Sequence, residues 1–160
     1  MCKLWPGREG WGAECIPPEF QQQSVDKRLA PNRAWQGSPA ERWAQMREMR
    51  NGDYYQLHIH KPRLISRIEL VSQGYRYPKK YKLQIKESDI KHWQDVGEFK
   101  GPIDISFDKP TELIAMQFTI TEPMLEPKNV YGQSPSWSIY DIRLTEVRLF
   151  GKFWKRVIER

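Results

Sequence analysis

From Tyr54 onward the chain repeats with a period of two, and that spacing limits what it can become. In "YYQLHIH" (54–60), Tyr55, Leu57 and Ile59 share one parity against Tyr54, Gln56, His58 and His60. Successive side chains of an extended strand point to opposite faces, so a run of this kind is a half-buried strand. The pattern returns with Leu64, Ile68 and Leu70 in "LISRIEL", with Tyr81, Leu83 and Ile85 in "YKLQIKE", and with Ile103, Ile105 and Phe107 in "IDISF". It returns again with Ile114, Met116, Phe118 and Ile120. In the closing run Ile142 and Leu144 are followed by Val147 and Leu149, a one-residue slip near Thr145 that predicts a β-bulge. Turn-forming text separates the runs: "KPR" at 61, "SQGYRYPKK" at 72, "KESD" at 86, "GP" at 101, "DKP" at 108 and the long "EPMLEPKNVYGQSPS" from 122. Six or more short antiparallel-type strands at this spacing predict an all-β fold, a sandwich or barrel. One segment reads differently: "SPAERWAQMREMRNG" opens on Ser38 with Glu41 three residues on, a capping-box pattern, and predicts a short helix or a loop excursion over 38–50.

A length of 160 residues suits a single domain, and 39% hydrophobic with 29% charged residues excludes a disordered chain. No apolar run approaches the roughly 20 residues of a membrane-spanning helix, so no membrane insertion is expected. The N-terminal text "MCKLWPGREGWGAEC" has no continuous apolar stretch of the secretory type, leaving open a cytosolic protein or a module of a longer exported chain. Cys2 and Cys15 both fall in this segment and are either two free thiols or a local bridge. The net charge of +6 is spread through interspersed signs, as in "KKYKLQIKE", and points to no specific nucleic-acid partner. Residues 1–25 are expected to be a strand and loops packing on the domain, and residues 153–160, "FWKRVIER", a basic aromatic tail that packs back or meets a partner.

Four passages, in order, resemble the discoidin-type, galactose-binding-like domains, which include the C domains of coagulation factors V and VIII and the family 32 carbohydrate-binding modules. "VDKRLAPNRAWQGSPAERW" is similar to the family's Asp-initiated loop ending in tryptophan, and "GDYYQLHIHKPRLISRIELVSQG" to its aromatic–strand–Lys-Pro–strand–Gln-Gly passage. "YKLQIKESDIKHWQDV" resembles its Tyr-strand-Ser-Asp-x-x-x-Trp passage, and "WSIYDIRLTEVRLFGK" its closing strand. The resemblance covers residues 26–152 and implies an antiparallel jelly-roll sandwich whose loops at one end take a ligand, usually a sugar. It also implies that Trp93 belongs to the frame, over a hairpin corner. Departures include His58-Ile59-His60 where the family has Asp-Leu-Gly, and Ala44-Gln45 where sugar-binding relatives often place a histidine after the tryptophan, here Trp43.

The histidines make no catalytic pattern: His58 and His60 share an outward face and His92 stands in a turn, with no third group to hold a base or complete a zinc site. No enzyme is expected. Sugar binding instead needs a flat aromatic wall and planar polar groups on a rigid scaffold. The loop "SQGYRYPKK" supplies Gln73, Tyr75, Arg76 and Tyr77, and the resemblance places an arginine and an amide in this loop. The loop "NVYGQSPSW" offers Asn129, Tyr131 and Trp137; the resemblance implies that an aromatic here stacks on the ligand, Tyr131 fitting best and Trp137 equally able to close the core. The region "NRAWQGSPAERW", with Trp35, Arg42 and Trp43, is the third contribution. The resemblance further implies a structural calcium between the places of Asp26 and Asp141, whose oxygen ligands suit a hard cation.

The sequence therefore reads as a non-catalytic carbohydrate-binding module, extracellular or cell-surface by resemblance, whose partners are a glycan and other domains of a longer chain. The alternatives are a protein-interaction or adhesion module of the same fold, or a binder of acidic polymers or lipid head groups motivated by the charge and the Lys80, Lys82 and Lys86 face.

Overall fold

The computed structural model describes residues 11–15, 31–150 and 153–159, with residues 148–150 and 153–159 described by their backbone. The strands are β1 (Gly12–Cys15), β2 (Trp43–Glu48), β3 (Tyr54–Val71), β4 (Lys80–Lys86), β5 (Gln94–Lys100), β6 (Ile103–Glu122), β7 (Ser136–Ile139), β8 (Asp141–Phe150) and β9 (Phe153–Glu159). A seven-stranded sheet runs β5-β4-β6-β3-β8-β9, with β1 also pairing β3, and β2 with β7 forms a second, two-stranded sheet. Every pairing is antiparallel. The result is the all-β sandwich that the alternation predicts. Among the described residues, no helix is long and apolar enough to cross a membrane.

The period-two text packs as its parity requires: Tyr55, Leu57, Ile59, Tyr81, Leu83, Ile85, Ile103, Ile105, Met116, Phe118 and Ile120 are all buried. The turns expected at 61 and 108 are arches within long strands. His58 pairs Ala115 and the next partners are Arg63 and Leu113, so residues 59–62 arch out, with His60 in the left-handed region at φ 75°. Ile65 faces Thr111 and Arg67 faces Ser106, so residues 107–110 arch out opposite Ser66 alone. The bulge expected near Thr145 exists, but its extra residue lies across the ladder. Ile65 pairs Glu146 and Arg67 pairs Thr145, which leaves Ser66 of β3 as the surplus residue, its hydroxyl 3.4 Å from the Thr145 carbonyl. Because of that shift Ile65 is the fully buried residue and Leu64 only half-buried.

Two further expectations need correction. Residues 38–50 contain no helix. Ser38 does cap a turn, accepting from Ala40 N through Oγ at 3.3 Å and from Glu41 N through its carbonyl at 3.0 Å, but the chain then enters β2. Trp43 and Ala44 pair with Ile139 and Ser138, and Met46 adopts φ 66°, a conformation that no α-helix continues through. Residues 153–159, read as a tail, pair along β8 from Leu144 to Phe150 as the edge strand β9.

The small sheet covers the core with aromatic rings. The centroid of Trp43 lies 4.7 Å from that of Tyr55 and 5.1 Å from that of Trp137, the latter edge to face, the arrangement that ring quadrupoles favour. The Tyr55 hydroxyl donates to the Pro31 carbonyl at 2.8 Å, anchoring the only helical piece among the described residues, the 3-10 turn Pro31–Arg33. Beneath the β2–β3 turn, Asp53 is buried and accepts from Gln45 Nε2 at 2.8 Å, Arg47 Nη2 at 2.8 Å and Arg50 N at 3.0 Å. Trp93 is half-buried at the start of β5, with Lys86 Nζ 5.3 Å from its ring centroid.

Cys15 is buried and unbridged among the described residues, and Cys2 lies outside them. Burial pushes its thiol up to about 11 from an ordinary 9.0, against a lowering hydrogen bond from Trp43. In a Cys2→Ser background, alkylation at pH 8 should therefore be slow in the native protein and fast in denaturant. A folded pKa above the unfolded one also sets the sign with pH: stability is full below about pH 9 and declines as pH rises toward about 11. Rapid native alkylation at pH 8 would contradict the buried placement.

Candidate functional site

Three segments meet at one end of the sandwich: the β3–β4 loop (72–79), the β6–β7 loop (123–135) and strand β2. The first is strapped to the small sheet, because Ser138 N donates to the Arg76 carbonyl at 3.1 Å, Tyr140 N donates to the Val71 carbonyl at 2.9 Å, and the Ser72 hydroxyl donates to the Ser138 carbonyl. The second is braced from within by one side chain. Asn129 Oδ1 accepts from Tyr131 N at 2.9 Å and Gln133 N at 3.0 Å, Asn129 Nδ2 donates to Gln133 Oε1 at 3.0 Å, and Gly132 closes the turn at φ 76°. Asparagine favours such turns because its amide can imitate a further peptide unit.

These loops enclose a two-lobed cleft. The larger lobe, about 550 Å³, is lined by Arg42, Ala44, Met46, Arg47 and Glu48 from β2 and its approach, Arg76 from the β3–β4 loop, and Asn129, Gly132, Gln133, Ser134 and Ser136. The smaller, about 400 Å³, runs between Gln73, Gly74 and Tyr75 on one side and Pro127, Lys128 and Pro135 on the other. Arg76, Asn129, Gln133 and Ser134 line both lobes and so form the shared ridge. Arg76 Nη1 donates to Ser136 Oγ at 3.3 Å, and Arg42 Nη1 to the Pro39 carbonyl at 2.8 Å. Arg42 Nε is buried without a partner, and neither arginine has a carboxylate partner among the described residues.

Of the residues expected from sequence, the cleft brings together Arg76, Gln73, Tyr75, Asn129 and Arg42. Tyr131 is 83% exposed at the loop tip, outside the lining of both lobes, beside Val130 at 93%. Tyr77 is half-buried and also outside both linings. Trp43 and Trp137 are corrected outright: at 1% and 0% exposure they form the core beneath the cleft and present no face to a ligand. Sequence reasoning missed Gln133 and Ser134, and it missed Met46, Arg47 and Glu48 on β2. Reading "WAQMRE" as a strand would have put Ala44, Met46 and Glu48 on one side, where the larger lobe lies.

Asp26, half of the calcium pair, lies outside the described residues. Asp141 is buried, and its Oδ2 accepts from Arg143 Nε at 3.0 Å. Among the described residues no group of three or more His, Cys, Asp or Glu side chains is placed to hold a metal ion. His58 Nδ1 accepts from His60 N at 3.2 Å, so its Nε2 carries the proton toward Asp89 Oδ1, 3.0 Å away on the surface.

Solved structures share this antiparallel sandwich with its loops gathered at one end. The family 32 carbohydrate-binding module of C. perfringens NanJ, in complex with galactose, superposes with a TM-score of 0.60 at 15% identity over 86% of this chain and 95% of that one. Chitosan-binding module 2 of the chitosanase/glucanase from Paenibacillus sp. IK-5, in complex with chitotriose, gives 0.59 at 17% identity over 83% and 94%. The F5/8 type C domain of a Bacteroides fragilis protein gives 0.59 at 11% identity over 86% and 91%. No protein-family model and no curated protein matches the sequence.

Proposed function

We propose that this chain is a non-catalytic carbohydrate-binding module that holds a glycan in the two-lobed cleft. The observation that carries the reading is convergence: Arg42, the loop residues Gln73, Tyr75 and Arg76, and Asn129, three segments distant in sequence, line one cleft at the loop end of the sandwich. Structures of the same fold are known with galactose and with chitotriose. Tyr75, 57% exposed, supplies an aromatic wall, and Arg76 on the ridge supplies a planar fork of donors for vicinal oxygens. The strapped loops hold these groups in place before a ligand arrives, which limits the entropy lost on binding. Affinity per site is expected to be modest, because a sugar exchanges water hydrogen bonds for protein ones, and tethering to a longer chain would raise it through effective concentration.

Arg76→Ala tests this directly. Loss of hydrogen bonds to a charged donor is worth about 1.5–3 kcal/mol, so glycan affinity should fall roughly tenfold or more by calorimetry. The melting temperature should barely move, because the side chain's protein partner is a single long contact to Ser136. Unaltered affinity would remove Arg76 from the site, and a large loss of stability would make it structural. The rival reading, a protein-interaction module, draws on the exposed tip Val130–Tyr131 and gains if a broad glycan array is blank.

A further inference from the structure

The charge around the cleft narrows the class of glycan. This step rests on the glycan reading above. Away from the cleft some cations are matched to carboxylates, Arg67 to Asp104 at 2.6 Å, Arg143 to Asp141 at 3.0 Å, and Lys79 and Lys80 to Glu122 at 3.3 and 3.6 Å, while others such as Lys82 and Lys86 stand dispersed along the exposed side of a strand. The cleft instead gathers cations into one concave site. Arg42, Arg47 and Arg76 line the larger lobe, and Lys128 lines the smaller. Arg47 is held by buried Asp53 at 2.8 Å, but Arg42 and Arg76 have no carboxylate partner among the described residues, and the Lys128 ammonium reaches Ser134 Oγ at 3.0 Å. Against these stands a single acidic side chain in either lining, Glu48.

A concave, low-dielectric wall concentrates the field of such charges, and a guanidinium fork matches the two oxygens of a carboxylate or a sulfate. Arg42 keeps one terminal nitrogen on the Pro39 carbonyl at 2.8 Å, which leaves its other terminal nitrogen for an anion. A cationic amino sugar would meet the same arginines with only Glu48 in its favour. We propose that the cleft recognises an acidic glycan, one whose sugar units carry carboxylate or sulfate groups, with Arg42 and Arg76, which both line the larger lobe, as the anion contacts.

The experiment measures binding of the full chain to oligogalacturonate, a heparin-derived oligosaccharide, a neutral galacto-oligosaccharide, a chitosan oligosaccharide and phosphatidylserine vesicles, at 50 and 300 mM NaCl. The expected result is binding of one or both acidic glycans over the neutral and cationic ones. Two phosphate-like contacts at roughly 0.7 per contact in the log–log slope give about a tenfold loss between the two salt concentrations. Arg42→Gln and Arg76→Gln should each weaken that binding about tenfold or more, whereas Lys82→Gln, on the exposed face of β4, should leave it unchanged. Should Arg42→Gln fold poorly, Arg76→Gln and the salt series decide. Salt-insensitive preference for the neutral or the cationic glycan would overturn the proposal and leave the glycan reading standing. Failure of every glycan would overturn both. Binding to vesicles alone, or binding lost in Lys82→Gln and kept in the arginine variants, would also overturn it.

Discussion

Trp137→Ala is expected to lower the unfolding free energy by about 3–5 kcal/mol, the range for deleting a buried large aromatic side chain. The indole is fully buried and touches Trp43 edge to face at 5.1 Å and Tyr55 at 6.4 Å, so its removal opens a cavity between the two sheets. β7 is only four residues long and, among the described residues, pairs only β2, its other backbone ties being those of Ser138 to Arg76 and Ser72. Urea unfolding should show a lower midpoint with an unchanged slope. Trp137→Phe should recover part of the loss. A variant that unfolds like the parent yet loses its ligand would return Trp137 to the binding site.

The second large effect belongs to Asp53. Its carboxylate takes the Gln45 amide, the Arg47 guanidinium and the Arg50 backbone N–H, all within 3.0 Å, at 4% exposure. Removing one partner of a buried charged network leaves the others unpaired, and Asp53→Ala should cost about 3–5 kcal/mol. Asp53→Asn keeps an acceptor for the backbone and should cost clearly less. Arg47 also lines the cleft, so any residual folded fraction of Asp53→Ala should bind differently from the parent. Equal stability of the alanine variant and the parent, by chemical denaturation, would deny the network its role.

Much of this architecture was legible from parity alone. Residues 54–60, 80–86, 103–107 and 114–120 turn inward as their alternation requires, since a half-buried strand writes its burial into every second residue. Residues 38–50 were misread for a reason that is local in origin. Ser38 and Glu41 do make the turn that a capping box begins, but the partner that pulls Trp43–Glu48 into a strand is Ser136–Ile139, far along the chain. Pairing at that separation leaves no mark within a short window. The tryptophans pose a related problem, because an indole beside a strand end has the same neighbours in sequence whether it faces core or solvent. Trp43 and Trp137 were settled by the packing of one sheet against the other. The cleft was half legible: Arg76, Gln73 and Tyr75 stand in an evident loop, whereas Gln133 and Ser134 reach it only because the long loop folds back over β2.

The brace at Asn129 separates two jobs that loops usually mix. The fold of the 129–133 turn is held by the side chain of its first residue and by Gly132, and none of those bonds uses the side chain of Val130 or Tyr131. The two tip positions are thus an interchangeable bit on a fixed socket. A lineage, or a library, can rewrite what the tip touches while the cleft beside it keeps its shape.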